Sequence, residues 1–151
     1  MSNIIREIND IITKLNKLKN DILLNQNISE IIECIKLDPN LFPKLNTQLR
    51  ALKEIVLEAV KQNGMSLAFT SDTMQCDKEV VLEAVKRDGN ALYYADITLQ
   101  NDKEIVLEAV KQNGLALQFA GQIVKNDIEI TLEAIKQNAL AIQYSKWVMK
   151  L

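Results

Sequence analysis

Apolar residues in the second half of the chain recur at helical spacing. In residues 103–113, Val106, Ala109 and Val110 lie three and four positions apart, and neighbouring apolar residues widen this stripe. Glutamate, lysine and glutamine hold the opposite side of the same segment. Steps of three and four are typical of an amphipathic α-helix, whereas a half-buried strand alternates in steps of two. The pattern therefore predicts an all-α protein.

The helical pattern is repeated along the chain. The segment KEIVLEAVKQNG occurs at 53–64 and again at 103–114, and near-copies start at Lys78 and Ile128, so the period is 25 residues. A degenerate copy precedes them, with Pro39 in place of the glycine. A fixed period of this length is the signature of a stacked repeat array, in which terminal units are commonly atypical.

Each unit is interpreted as two helices joined by a tight turn. Asp102 or Asn101 is expected to cap the start of the first helix, and Gly114 is expected just past its end, with a positive φ. Ala139 replaces this glycine in the last unit, so we expect a strained or differently closed turn there. A shorter helix over 115–120 and a polar connector complete the unit. The prediction is short helical hairpins stacked as a small solenoid-like array.

Three regions follow from this interpretation. Residues 1–25 form an amphipathic helix, residues 26–52 a degenerate repeat, and residues 53–151 four tandem 25-residue helical repeats. The first region carries a seam of apolar residues in steps of four and three: Ile4, Ile8, Ile11, Leu15, Leu18 and Ile22. This seam either caps the end of the array or self-associates into a homodimer. A membrane-surface helix is disfavoured by the acidic residues within the segment.

Composition narrows the possible partners. The net charge is −2, and lysine and glutamate are interleaved rather than gathered into a basic stripe, which argues against nucleic acid. No apolar run is long enough to span a membrane, and the N-terminus has no signal-peptide pattern. We therefore expect a cytoplasmic protein, or one delivered into a host cytosol.

Few residues are candidates for chemistry. The chain has no histidine, which removes histidine-based nucleophile systems and histidine zinc sites. Cys34 takes the place of a core alanine, so a buried structural thiol is expected. Cys76 lies in a connector before a helix start, where the helix dipole can lower a thiol pKa, although a plain surface or half-buried cysteine is the favoured interpretation. No catalytic residue, cofactor site or metal site is predicted.

A row of glutamates is expected on the long helices. Glu58, Glu83, Glu108 and Glu133 are each followed three residues later by a lysine, a spacing that predicts ion pairs on one helix face. Such a polar ladder can also serve as a docking face for a partner of complementary charge. Glu83 and Glu108 are our candidate contact residues from this ladder.

Aromatic residues that depart from the repeat are the other candidates. Tyr93 aligns with Ala68, Gln118 and Gln143, so packing does not require an aromatic ring there. Trp147 departs in the same way, and either contacts a partner or covers the last repeat. Tyrosine and tryptophan are enriched among residues that carry binding energy. Aromatic residues that recur in every unit are instead expected to pack: Phe69, Tyr94, Phe119 and Tyr144.

One sequence motif resembles a known repeat family: D-K-E-[IV]-V-L-E-A-V-K-x-[ND]-G. Residues 77–89 and 102–114 match it at every position. It is similar to the tandem helical repeats classified as a domain of unknown function in giant viruses and in effectors of amoeba-infecting bacteria. The resemblance implies no established activity and no catalytic residues. The resemblance implies a likeness in size and build to small inhibitors that dock on another effector, and one class of those targets deamidates or cross-links ubiquitin.

The expected function is a non-enzymatic protein–protein interaction module. The resemblance sharpens this to a small regulator or inhibitor that docks on and blocks a partner enzyme. The alternative is an oligomeric structural scaffold that uses the N-terminal helix.

Overall fold

The structure, a computed structural model, describes residues 27–146. All regular secondary structure in this part of the chain is helical, which confirms the all-α prediction. The long helices are α1 (residues 27–37), α2 (Lys53–Gln62), α4 (Lys78–Arg87), α6 (Lys103–Gln112) and α7 (Ile128–Gln137). Two short helices lie between them, α3 (Asp72–Gln75) and α5 (Ile97–Gln100).

Every long helix is followed by a 3₁₀ helix of six residues. These are Pro39–Lys44, Gly64–Phe69, Gly89–Tyr94, Gly114–Phe119 and Ala139–Tyr144. A third, shorter segment follows in the first four units: Leu49–Ala51, α3, α5 and Val124–Asn126. The expected helical hairpin is thus a three-segment unit, because the connector is itself helical. We number the units one to five, starting at residues 27, 52, 77, 102 and 127.

The second segment buries the same positions in units two, three and four. In Gly64–Phe69 the residues Gly64, Ser66 and Leu67 are buried, and the same three positions are buried in units three and four. Residues three apart share one side of a 3₁₀ helix. The segment thus turns its first and fourth residues towards the core, together with the third.

The core lies between successive units. Long helices pack on long helices and 3₁₀ helices on 3₁₀ helices, so two parallel lanes run along the array. Two consecutive apolar residues near the start of each of α2, α4 and α6 are fully buried, as is the central leucine of the next 3₁₀ helix: Ile55, Val56, Leu67, Val80, Val81, Leu92, Ile105, Val106 and Leu117. Each unit therefore depends on its neighbours for a hydrophobic core.

Aspartate caps the long helices. The Asp102 carboxylate accepts hydrogen bonds from the amides of Glu104 and Ile105 at 3.0 and 3.2 Å. The Asp102 alternative is therefore confirmed, and Asn101 instead donates to the carbonyl of Ile97. In unit two Leu52 occupies the same position and makes no side-chain cap.

The residue before each glycine is also a cap. Asn113 ends α6, and its side-chain oxygen accepts from the amide of Leu115 at the start of the 3₁₀ helix. The prediction of a positive φ at Gly114 is wrong, since no described residue has one. Asn113 therefore both ends the first helix and caps the second, and Gly114 is the first residue of the second helix.

Glycine is required at this position because the helix backbone of the next unit approaches it closely. A Cβ on Gly89 would overlap the carbonyl oxygen of Ala109 in the next unit, and the same holds for Gly64 against Ala84. Gly114 meets Ala134 in the same way. The absent side chain lets the turn of one unit touch the helix backbone of the next.

The expected strain at Ala139 is not found. Asn138, the residue before it, has φ −153° and ψ 113°, close to −147° and 108° at Asn113. The side chain of Ala139 is exposed, because no described element follows the fifth unit and packs on it. A Cβ is tolerated here for that reason.

Lysines at the start of the long helices join neighbouring units. Lys78 Nζ lies 2.8 Å from a carboxylate oxygen of Asp102 and 2.8 Å from one of Glu104, both in the next unit. Lys53 and Lys103 repeat this arrangement one unit before and one unit after. The D-K-E triplet is therefore an inter-unit clamp: the cap of one helix is also the ion-pair partner of the preceding one.

The clamp changes the acid–base properties of the capping carboxylates. Burial alone would raise the pKa of Asp102, but hydrogen bonds from Lys78 and from two backbone amides outweigh it, so the pKa lies below its ordinary value. Hydrogen bonds and charge from Asp102 and Glu104 raise the pKa of Lys78. The clamp is thus formed by charged groups at neutral pH.

Gly89→Ala should destabilise the protein by about 1–3 kcal/mol, the usual cost of overpacking. The measurement is the free energy of unfolding in urea. Ala139→Gly is the matched control at the same position of unit five, where only the flexibility of glycine acts, so a loss of about 1 kcal/mol or less is expected. Equal losses at the two positions would contradict the close-approach explanation.

Stability should fall in acid as the clamp aspartates are protonated. Their folded-state pKa lies below the ordinary 3.8, so their contribution is present above that pH and is lost as the pH falls through the folded-state pKa. Asp102→Asn keeps a capping side chain but loses the charge, and should cost about 0.2–1 kcal/mol at pH 7. Urea titrations at pH 7 and pH 3 should show a smaller acid loss in the variant than in the wild type. An identical acid loss would mean that Asp102 does not contribute.

Candidate protein-binding surface

Aromatic residues form a row along the 3₁₀ lane. Each 3₁₀ helix from unit two onwards ends on an aromatic residue: Phe69, Tyr94, Phe119 and Tyr144. Because the 3₁₀ helices pack side by side, these residues occupy equivalent places in neighbouring units. Tyr94, Phe119 and Tyr144 are half-buried and pack against the core, as expected, whereas Phe69 is exposed.

Tyr93 projects from this row. Its side chain is 60% exposed. The ring meets Tyr94 edge-on, with centroids 4.9 Å apart, and also meets Phe119 of the next unit, with centroids 5.3 Å apart. Edge-to-face contacts of this kind restrict an aromatic side chain without covering it. Tyr93 is thus both oriented and accessible.

The glutamate ladder lies on the long helices. Glu83 is 3.0 Å from Lys86, and Glu108 is 2.6 Å from Lys111. Glu133 forms the same pair with Lys136. Glu58 is the exception, since its carboxylate accepts a hydrogen bond from Gln62. The predicted ion pairs are therefore found for Glu83, Glu108 and Glu133 but not for Glu58. In each pair, the lysine on the same helix partly neutralises the charge of the glutamate.

The candidate residues fall into two separate groups. Tyr93 belongs to the 3₁₀ lane, whereas Glu83 and Glu108 belong to the helix lane. Among residues 27–146 no hydrogen bond, ion pair or ring contact joins Tyr93 to either glutamate. Trp147 lies outside the described residues, so its two interpretations both stay predictions.

Further exposed apolar residues accompany Tyr93. Leu37, Ile97 and Ile123 are exposed, and each stands where other units carry a polar residue. The reasoning that singled out Tyr93, departure from the repeat, identifies all three. Packing between units explains none of them, so they belong with Tyr93 as candidate contact residues.

The two cysteines differ from expectation in one respect. Cys34 is exposed, so the prediction of a buried structural thiol is wrong. Its unit is the first one described, and no described unit precedes it to cover the position that alanine holds elsewhere. Cys76 is exposed, as the favoured interpretation predicted. Desolvation and the nearby Asp96 and Asp72 carboxylates raise the pKa of the Cys76 thiol, which disfavours the reactive thiolate.

An apolar hollow lies beside the exposed Cys34 in unit one. It has a volume of about 450 Å³ and is lined mainly by Ile31, Ile35, Leu41 and Leu45. Within residues 27–146, no three or more acidic or cysteine side chains are grouped closely enough to hold a metal ion. None of the helices in this part of the chain is long and apolar enough to cross a membrane.

Comparison with known proteins identifies the repeats. One family model matches the chain in four overlapping windows, residues 27–75, 52–100, 77–125 and 102–147. Each window starts one 25-residue unit after the previous one and spans about two units. Neither the curated proteins nor the solved structures gave a match.

The four windows together cover most of the chain and follow the observed units. The expectation of a tandem repeat family of unknown function is therefore confirmed. The chain belongs to the family described as Domain of unknown function (DUF4116).

Proposed function

We propose that the protein is a non-enzymatic protein-binding module. The observation that carries this proposal is Tyr93, a tyrosine that is 60% exposed yet held by two aromatic rings. Burying an exposed tyrosine whose ring is already oriented gains contact area at a low cost in conformational entropy. The repeat does not require an aromatic ring at this position, so a role outside the fold accounts for it.

The array supports binding by being preorganised. Units two to five are tied to one another by the lysine clamps and by backbone hydrogen bonds, such as that from the Asp96 amide to the Gln75 carbonyl at 3.0 Å. A rigid lane of 3₁₀ helices therefore presents Tyr93 beside the half-buried aromatic row. A partner with an apolar pocket suits this surface, and a partner that also reached the helix lane would find hydrogen-bond acceptors in Glu83 and Glu108.

The finer proposal rests on the family resemblance. A small protein with a rigid binding surface suits a regulator or inhibitor that blocks a partner enzyme by covering its functional face. Ubiquitin-modifying deamidases and transglutaminases are the partner class that the resemblance suggests. The oligomeric-scaffold alternative depends on the seam from Ile4 to Ile22, which lies outside the described residues and stays a sequence prediction.

Tyr93→Ala should weaken partner binding by about 30-fold or more, the effect of losing a hot-spot residue of about 2 kcal/mol. Wild type and variant are used in parallel affinity capture, and quantitative mass spectrometry identifies proteins lost only with the variant. Isothermal titration calorimetry with the purified partner then measures the affinity. Gln118→Ala, at the same position one unit later, is the matched control and should bind normally.

Two further observations would decide against the proposal. A partner retained equally by wild type, Tyr93→Ala and Gln118→Ala would show that Tyr93 is not the contact. An activity of the purified protein abolished by Cys34→Ser or Cys76→Ser would indicate an enzyme instead.

A further inference from the structure

The hollow beside Cys34 lies at the first end of the described array. In unit five, which has no described unit after it, Ile130 and Ala134 are still fully buried, so these two positions pack on the preceding unit. Their counterparts in unit one are Glu30 and Cys34, and both are exposed. The hollow, about 450 Å³ in volume, is thus the stacking surface of unit one. No described residue precedes this unit to cover it.

Another repeat unit is a poor match for this surface. In units three to five, the aspartate and glutamate of the D-K-E triplet bind the lysine of the preceding unit. Asn27 and Ser29 stand at these two positions in unit one, so neither carries a charge. A stacked repeat would also bury Glu30, at a position where units two to five have isoleucine or valine. Burying an unpaired carboxylate is costly.

The edge of the hollow carries two charges of opposite sign. Glu30 and Lys44 both line it, and neither side chain forms an ion pair or a hydrogen bond with another side chain of residues 27–146. The clamp lysines and the ladder lysines, by contrast, are paired, as Lys78 and Lys111 are. A segment that covers the hollow should therefore combine an apolar stripe with flanking charges of both signs.

The segment that precedes unit one has this pattern. Residues 1–26 lie outside the described residues, and their sequence predicts an amphipathic helix with the apolar seam given above. Charged residues stand directly beside the seam positions: Glu7 and Asp21 are acidic, and Lys14 and Lys19 are basic. The segment thus offers an apolar stripe together with charges that complement those at the edge of the hollow.

The distance along the chain between the seam and α1 suits an antiparallel pair of helices. The seam ends at Ile22 and α1 begins at residue 27, which leaves four residues, 23–26, for the connection. Antiparallel helices are commonly joined by about 2–5 residues. A segment tethered by so short a connection has an effective concentration on the order of millimolar. It therefore has an advantage over a separate molecule of the same intrinsic affinity.

The residues that meet in such a pair can be counted outwards from the connection. Each of the last three seam residues then lies opposite a residue that lines the hollow. The three pairs are Ile22 with Asn27, Leu18 with Ile31, and Leu15 with Cys34. The seam and the lining of the hollow thus follow the same steps of four and three.

We propose that the seam of residues 4–22 docks in the hollow of the same chain, as a helix antiparallel to α1. α1 has 11 residues and is about 16 Å long, so the part of the seam from Ile11 to Ile22 makes the contact. The repeat units stack in parallel, and an antiparallel helix interrupts that arrangement. The docked segment therefore closes the first end of the array against further units.

The first test is the reaction of the Cys34 thiol with dithionitrobenzoate in the full-length chain carrying Cys76→Ser. Leu18→Lys places a charge in the seam and should raise the labelling rate about tenfold or more, because a buried leucine contact is lost. Asn20→Lys, the same change on the opposite side of the predicted helix, is the matched control and should leave the rate within about twofold of the parent. Circular dichroism checks that each variant is folded.

The thiol of Cys76 shows whether the effect is local. Cys76 is exposed and belongs to unit two, away from the hollow. In the full-length chain carrying Cys34→Ser, its labelling rate should therefore be unchanged by Leu18→Lys. A rise at Cys76 as large as that at Cys34 would count against a contact confined to the hollow.

The second test is a disulfide across the proposed contact. Leu15→Cys, in the chain with Cys76→Ser, should form a disulfide with Cys34 inside one molecule on treatment with oxidised glutathione, because the two residues lie face to face. Mass spectrometry without reductant identifies the product as a monomer that has lost both free thiols. Thr13→Cys, on the opposite side of the predicted helix, is the matched control and should form no such bond.

Three results would overturn the proposal. The first is an equal Cys34 labelling rate in the parent, Leu18→Lys and Asn20→Lys. The second is a disulfide of Leu15→Cys that joins two chains, with twice the chain mass of 17.1 kDa, which assigns the seam to self-association. The third is a protection of Cys34 that rises with protein concentration from about 1 to 100 µM, since docking within one chain does not depend on concentration.

Discussion

The structure depends on one close contact, repeated from unit to unit. In units two, three and four, the turn touches the helix backbone of the next unit at a glycine whose side chain is a single hydrogen, as Gly89 does against Ala109. This contact sets how near two long helices and two 3₁₀ helices come, and so allows the apolar residues between them to be fully buried. The lysine clamp then joins the N-terminal ends of the same helices. Backbone proximity comes first, and both the core and the ion pairs depend on it.

Much of the architecture could be predicted from one sequence because its repeat units can be compared with one another. Apolar spacing of three and four predicted the helices, the 25-residue period predicted the units, and residues such as Asp102 predicted the helix starts. The same comparison identified Tyr93 as a residue that packing does not require, and its side chain is exposed in the structure. Features determined inside one unit, or by comparing units, were accessible to sequence reasoning.

Features that depend on contacts between units could not be predicted from the sequence. Gly114 fits a local rule for helix ends, but its actual constraint is Ala134, twenty residues later, and nothing in the local sequence shows that contact. Cys34 looked buried because alanine is buried at that position elsewhere, yet its unit has no described unit before it. The lysine of the D-K-E triplet was assigned no partner from the sequence, because its partners lie in the following unit. In each case the missing information was the identity of the neighbour.

The backbone hydrogen bond that links each connector to the preceding one has a consequence for spacing. It recurs at the three junctions between units two and five, from Asp96 to Gln75, from Gly121 to Gln100 and from Lys146 to Lys125. A gene that gained or lost one whole unit would supply donor and acceptor in the same register, so the chain would still fold. A unit gained or lost between Tyr93 and the last unit would change the distance between them by one helix spacing, about 8–10 Å. The length of the array therefore changes only by whole repeat units.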